Sequence, residues 1–381
     1  MKKYYCILVL IIIVSNNFIY SQQIVSKEDS LITVSFSVVG DLMVHSPQFK
    51  SAKIDSNKYD FQPVFDEIKP YLEKADFTMG NLETVFAGEE RGFSGYPAFN
   101  TPDEFLHALK YSGFDLLFTA NNHAYDKGKK GVERTIKLIE ENGLQYSGTF
   151  KTKEEQDSIF INNINGIKFT VLSYSYLTNV GIPKENEYLL NIIEKRKIRN
   201  DILKAKEMNM DFVIVYFHFG NEDEHEPSAY QKDIVENTIK YGADIILASH
   251  THTIQPIEIY KPHNSKLTES FVTYSLGNFI SNQRWRYSDA GVILNFSVSK
   301  NIKSDSLFIS ELNFIPTWVY KNVHKNGSTY KILPAEIYEQ DLINFSATES
   351  DKKLMKQSFQ DTIEIVTKYS KQIKLQSVLK E

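Results

Sequence analysis

The stretch FVIVYFHFGNE, Phe212 to Glu222, and the IILASHTH that follows a helix later, Ile245 to His252, decide the fold. Each begins as a short apolar run of the kind that forms a strand, and each ends in histidine. Between them, Ser228 to Tyr241 has helical spacing and stops at Gly242, a residue suited to a helix C-cap. Strand, helix, strand is the unit of an α/β sheet, in which sites form beyond the carboxyl ends of the strands. His218, His250 and His252 fall at such ends.

Working toward the N-terminus, the same unit recurs. Ile32 to Val39 alternates and is β-branched, predicting a strand that stops at Gly40-Asp41. Pro63 to Lys74 has helical spacing, with Pro70 placed to kink or split it. Phe77 to Met79 predicts a strand ending at Gly80-Asn81, and Asp115 to Thr119 another ending at Asn121. Helices are expected over Pro102 to Tyr111, capped by Thr101, and over Gly131 to Asn142, closed by Gly143. Lys168 to Tyr174 then reads as strand and Leu190 to Asn209 as helix. Toward the C-terminus the alternation gives way to consecutive strands at Ile254 to Tyr260, Ser270 to Ser275, Gly291 to Ser299 and Leu307 to Phe314, which predicts an antiparallel part. One domain is expected over residues 32–318. Residues 319–381 read as an extension with an amphipathic helix over Asp351 to Leu375.

The chain has 381 residues, 42% hydrophobic and 24% charged, enough to bury a large core. A net charge of -5 and the lack of any Lys/Arg stripe exclude a nucleic-acid partner. Lys2 and Lys3 before the apolar run Ile7 to Val14 predict a signal peptide over residues 1–21, cleaved after Ser21. The protein is then exported, to the periplasm, the cell surface or the medium. Cys6 is the only cysteine and leaves with that peptide, so neither disulfides nor thiolate ligands are expected.

Five segments end strand-like runs and carry metal-binding side chains: GDLMVH (Gly40 to His45), GNLE (Gly80 to Glu83), NNHAYD (Asn121 to Asp126), HFGNE (His218 to Glu222) and SHTH (Ser249 to His252). Carboxylate, amide and imidazole donors together suit divalent ions such as Mn, Fe or Zn, and the expectation is a site for two of them. Asp41 is a carboxylate ligand; His45 either reaches the same ion or lines the pocket mouth. Glu83 is the bridging candidate, because a charged oxygen shared by two cations offsets their repulsion. Asn122 is a neutral oxygen ligand, His123 a proton donor or transition-state stabiliser, and Asp126 its orienting partner or a plain turn residue. His218, His250 and His252 are imidazole ligands; on a bend, the last two can serve different ions. Glu222 and His225 either reach substrate or belong to a solvated loop. Asn278, Gln283, Arg284 and Arg286 are substrate-binding candidates, the arginines gripping a carboxylate or phosphate unless they are plain surface residues.

Together these segments resemble the capsule-synthesis CapA family, also called poly-γ-glutamate synthesis proteins, within the calcineurin-like metallophosphatases. Further matching motifs are NNHAYDKGKKG (Asn121 to Gly131), SHTHTIQP (Ser249 to Pro256) and YSLGNF (Tyr274 to Phe279). The resemblance implies a four-layer α-β-β-α sandwich with mixed sheets and a centre of two divalent ions. It implies Asp41 and His252 on one ion, Asn122, His218 and His250 on the other, Glu83 between them, and His123 as the catalytic histidine. It also implies a role in capsule or poly-γ-glutamate metabolism. Three activities are open: a metal-dependent hydrolase or acyl- and amide-processing enzyme, a non-catalytic binding or export factor, and a generic secreted phosphodiesterase. The expected partner is an anionic polymer or a small phosphoester or amide, with membrane-associated capsule-assembly proteins. One departure stands out: the phosphatase pattern Asp-x-His is missing, since Leu42 and Met43 follow Asp41.

Overall fold

The structure, a computed structural model, describes residues 31–325, 327–336 and 343–378. The expected signal peptide lies outside the described residues. Among the described residues, no helix is long and apolar enough to cross a membrane.

Two mixed sheets carry the fold. The larger runs in the order Gly327–Pro334, Leu307–His324, Ala290–Asn301, Leu31–Leu42, Phe77–Leu82, Leu116–Phe118, Gln145–Ser147. From Leu31–Leu42 onward its neighbours are parallel, and the three strands on the other side are antiparallel. The smaller sheet runs Ile257–Tyr260, Ser270–Thr273, Ile245–Ser249, Phe212–His218, Ile167–Ser175, Asn162–Ile164, parallel in its centre and antiparallel at both edges.

Period-two alternation decides which side chains meet where. In the first strand Val34, Phe36 and Val38 point to the second sheet and pack with Phe169, Phe212, Ile214 and Leu247. Phe118 and Tyr216 stack across the same interface, with ring centroids 4.0 Å apart. The outer face of the larger sheet packs Leu82, Leu117 and Ile293 against helices Glu104–Tyr111 and Gly128–Glu141. On the opposite side, Val213, Val215 and Ile246 are covered by helices Lys195–Glu207 and Ala229–Tyr241. The order helix, sheet, sheet, helix is the four-layer α-β-β-α sandwich expected from the sequence.

Several boundaries differ. The first strand does not stop at Gly40 but continues to Leu42, with a register shift against Phe77–Leu82 between Val39 and Asp41. Gly40 is needed for close approach rather than for a sharp turn: a Cβ there would lie 2.0 Å from the Gly277 carbonyl oxygen. Pro70 splits the helix expected over Pro63 to Lys74 into two single turns, Gln62–Phe65 and Lys69–Leu72. The helix expected from Leu190 begins only at Lys195, behind the 3₁₀ segment Lys184–Leu189.

The boundary at 318 is a correction. Strand Leu307–His324 runs through it and pairs with both Ala290–Asn301 and Gly327–Pro334. Trp318 is buried there with Tyr320, Leu333 and Met355, the last from helix Glu349–Val366. Val366 itself joins the core between the sheets. The C-terminal residues therefore complete the sandwich instead of extending from it.

Candidate metal centre

The parallel strands of both sheets present their carboxyl ends to one point. Asp41 lies at the end of Leu31–Leu42, and Asn81 and Glu83 at the end of Phe77–Leu82. Asn122 and His123 follow Leu116–Phe118; His218 ends Phe212–His218, and His250 and His252 follow Ile245–Ser249. The larger sheet thus supplies the oxygen donors and the smaller one the imidazoles.

Two groups of donors form. Glu83, His218 and His250 each place a ligand atom within 4.8 Å of the others, and so do Asp41, Glu83 and His252. Glu83 belongs to both, as a bridging ligand must. His218 Nε2 lies 2.8 Å from Asn122 Oδ1 and 3.1 Å from His250 Nδ1, which brings Asn122 into the first group. In the other, His252 Nδ1 lies 3.2 Å from Asp41 Oδ2. All six side chains are buried.

Sequence spacing alone would put His250 and His252 on one side of an extended strand. The backbone separates them: φ is +111° at His250 and +57° at His252, conformations uncommon for any side chain except glycine. That bend sends one imidazole to each group.

Electrostatics and satisfaction both fit a cation pair. Burial, and then the Asp41 carboxylate, push the Glu83 carboxyl well above its usual range. Its Oε1 is buried with no hydrogen-bond partner among the described residues, 3.7 Å from His218 Nε2 and 3.9 Å from His252 Nε2. Burial lowers His218 far below the ordinary imidazole value and brings His250 to about 3, so both rings are neutral donors at pH 7. At His252 burial also acts downward, but the Asp41 carboxylate outweighs it and the pKa is raised. A buried carboxylate with one oxygen unpartnered beside neutral imidazoles is costly in the bare chain, and divalent cations would remove that cost. Nitrogen and oxygen donors without thiolate fit Mn, Fe or Zn.

His123 joins neither group. Its Nδ1 is 2.7 Å from Asp126 Oδ2, which also accepts the Phe99 backbone N–H at 2.7 Å. Phe99 further packs its ring edgewise on His123, centroids 4.6 Å apart. The ring is fixed from two sides, and its Nε2 meets the Asn179 amide nitrogen at 3.3 Å.

The remaining candidates divide. His45 lines the site but is not among the donors: its Nδ1 accepts the Asn282 backbone N–H at 3.3 Å, and burial followed by the charge of His252 brings its pKa to about 4. Glu222 is exposed on the loop beyond His218. His225 stands against Tyr287, ring centroids 4.1 Å apart. Asn278 donates to Gln283 Oε1 and to the Ser288 carbonyl, so the pair braces its own loop. Arg284 lies over the Trp318 ring at 5.3 Å. Arg286 is corrected: its bidentate grip is already taken, with Nε and Nη2 donating to Asp361 of helix Glu349–Val366 at 2.9 and 2.8 Å.

Three residues were missed. Asn81 stands at the centre, its amide nitrogen 2.8 Å from Asp41 Oδ1, 3.2 Å from Glu83 Oε2 and 3.3 Å from His218 Nδ1. The GNLE segment held the signal, since Asn81 ends an apolar run as the other donors do. Tyr176 packs its ring on His250, with centroids 4.5 Å apart, and Asn179 brings its amide nitrogen to 3.3 Å from His123 Nε2. No periodicity marks the loop that carries these two.

A family model described as bacterial capsule synthesis protein PGA_cap matches residues 35–283. The capsule biosynthesis protein CapA of Bacillus anthracis is 28% identical over 277 residues, covering 70% of this chain and 64% of that protein. The PGA biosynthesis protein CapA of Bacillus subtilis (strain 168) is 24% identical over 276 residues, covering 72% of this chain and 69% of the other. The chain thus spans just under two thirds of the first of these relatives. Among solved structures, the NAD nucleotidase of Haemophilus influenzae is similar with a TM-score of 0.46 and 13% identity, over 91% of this chain and 64% of that one. A phosphatase from Mycoplasma pneumoniae is similar with a TM-score of 0.45 and 13% identity, over 75% of this chain and 94% of that one. The family match contains every donor from Asp41 to His252 and covers well over half of the sequence. The chain belongs to the bacterial capsule synthesis protein PGA_cap family.

Proposed function

We propose that this chain is an exported metal-dependent hydrolase, or acyl- and amide-processing enzyme, acting on an anionic polymer of capsule or poly-γ-glutamate metabolism. The observation that carries the reading is His123, oriented by Asp126 beside two donor groups that share Glu83. Asp41, Glu83 and His252 would hold one divalent ion, and Glu83, Asn122, His218 and His250 the other. Such ions, when bound, supply Lewis acidity and lower the pKa of water from about 15.7 toward 7.

The chain's own residues do the rest. Asp126 accepts the Nδ1 proton of His123, which leaves Nε2 to exchange a proton with the reacting group. Glu83 and Asp41 keep negative charge fixed where cations would gather, and Asn122 adds an oxygen without adding charge. Tyr176 shields His250 from solvent on one side.

The test is metal analysis of the purified protein, then turnover on γ-glutamyl amides and on nitrophenyl phosphate diesters. The reading expects metal to be retained and the amide series to be cleaved. His123→Ala should abolish turnover while the metal stays. Fast hydrolysis of the diesters alone would reassign the chain as a generic phosphodiesterase, and a protein that cannot be loaded with metal would defeat the reading.

A second reading, a binding or export factor working with membrane-associated capsule-assembly proteins, draws on one observation. The group Asp41, Glu83 and His252 is lean, because Leu42 and Met43 occupy the positions after Asp41. It predicts that polymer is retained at unchanged length and that His123→Ala has no effect.

A further inference from the structure

One short loop holds most of one donor group. Residues 176–180 continue from the carboxyl end of strand Ile167–Ser175. Tyr176 donates its backbone N–H to the His218 carbonyl at 3.0 Å and lays its ring on His250, centroids 4.5 Å apart. Asn179 donates its backbone N–H to the Asn122 carbonyl at 2.8 Å. Asn122, His218 and His250, the donors that join Glu83 on that side, all touch this one segment. It is braced from within: Ser175 Oγ donates to the Leu177 carbonyl at 2.7 Å and Thr178 Oγ1 to the Val180 carbonyl at 2.8 Å. Bonds of this kind give a backbone that is neither helix nor sheet its own local partners.

Asn179 uses both ends of its side-chain amide. Its Oδ1 faces Asn122 Nδ2 at 3.5 Å, while Asn122 Oδ1, at the other end of that second amide, lies 2.8 Å from His218 Nε2. An amide oxygen can hold a cation and an amide nitrogen cannot, so the way Asn122 is turned decides whether it is a ligand. Turned over, its oxygen would meet Asn179 Oδ1, two acceptors with no proton between them. Asn179 Nδ2 lies 3.3 Å from His123 Nε2 and 3.5 Å from His123 Nδ1. Nearly equal distances place it astride the ring and not on the Nε2 lone pair, so it steadies the imidazole without blocking that nitrogen.

We propose that Asn179 is a positioning residue: it turns the Asn122 amide oxygen toward the His218 side of the centre and so sets metal affinity there, not on the Asp41–His252 side. The inference rests on the reading of the site as a metal centre, but not on turnover. The test takes purified protein with isotope-labelled histidine, strips it with chelator and titrates it with zinc, following the imidazole nitrogens of His218, His250 and His252 by NMR. Asn179→Leu removes both ends of the amide. It should raise the zinc needed by His218 and His250 about ten- to a hundredfold, the range for groups that orient a ligand, and leave His252 responding as before. Asn179→Asp keeps an oxygen facing Asn122 Nδ2 and should stay close to the unmodified protein.

Melting curves check that each variant folds, and the pair of variants separates an orienting oxygen from a loop that merely needs its native residue. Native zinc affinity in Asn179→Leu would overturn the proposal. So would equal losses in Asn179→Leu and Asn179→Asp, or a loss at His252 as large as that at His218. A zinc-loaded protein that cleaves neither γ-glutamyl amides nor phosphate diesters would defeat the hydrolase reading and leave the role of Asn179 standing. An unmodified protein that takes up no zinc at any of the three imidazoles would defeat both.

Discussion

The two halves of the candidate metal centre share Glu83 and differ in almost everything else. One gathers Asn122, His218 and His250, an amide and two imidazoles kept neutral by burial. The other has only Asp41 and His252, a carboxylate next to an imidazole whose pKa that carboxylate raises. The first half is a set of neutral donors already converging on one point, ready for a cation. In the second, the Asp41 carboxylate favours the protonated form of His252, and that preference opposes a cation there. The halves should therefore differ in affinity, with the His218 half filling first.

Removing what they share breaks the comparison most severely. Glu83→Gln is expected to lower metal content in both halves and to reduce turnover by about a thousandfold or more, read by metal analysis and initial rates. With chelator present the same variant should melt no lower than the unmodified protein, because the buried Glu83 Oε1, without a hydrogen-bond partner among the described residues, then belongs to a neutral amide rather than a carboxyl. Next, His218→Ala should empty its half while His252→Ala leaves that half loaded. Equal losses from both would erase the distinction. Circular dichroism controls for folding in each case.

Asp126→Asn should lower kcat by about ten- to a hundredfold with metal content unchanged, since it loosens His123 without touching a donor. The pH response separates the halves more finely. His250 titrates at about 3 in the folded chain against 6.5 as its ordinary value. Between those values the unfolded chain binds more protons, so stability falls as the solution is acidified below 6.5. His218 acts in the same direction. The raised His252 acts oppositely, adding stability at low pH that is lost as pH rises through its folded value. In chelated Glu83→Gln protein, which lacks the opposing carboxyl, His252 is protonated in both states below pH 6.5, so His218 and His250 add and the net expectation there is a loss of up to about 2.7 kcal/mol per pH unit on acidification. A rise in melting temperature on acidification below 6.5 would contradict the neutral, buried state assigned to His218 and His250. The smallest effect is expected far from the donors. Arg286→Ala breaks an ion pair whose arginine is 52% exposed, and should shift a denaturant melt only slightly while leaving metal in place.

The sequence shows the two halves unequally. Asp41, Glu83, Asn122, His218, His250 and His252 were legible because each follows an apolar run, and a strand end is a position that pattern can find. The layers were legible for the same reason, through period-two and helical spacing. The division of His250 and His252 between the halves depends on positive φ at both residues, and no residue type there announces it. Asn81 was visible as a strand-end residue, but its place between Asp41, Glu83 and His218 depends on long-range convergence. Tyr176 and Asn179 lie in an aperiodic loop, and the partner of Arg286 is 75 residues away on a helix read as a separate extension. Local pattern carries strand ends well and tertiary partners poorly.

Scattered strand ends that cage two cations with Glu83 between them make a crystallographic prediction. A crystal structure of protein loaded with Mn, with anomalous maps recorded at its absorption edge, tests this directly. Two peaks are expected, one among Glu83, Asn122, His218 and His250 and one among Asp41, Glu83 and His252. A single peak away from Glu83, or no peak with these imidazoles turned apart, would contradict it.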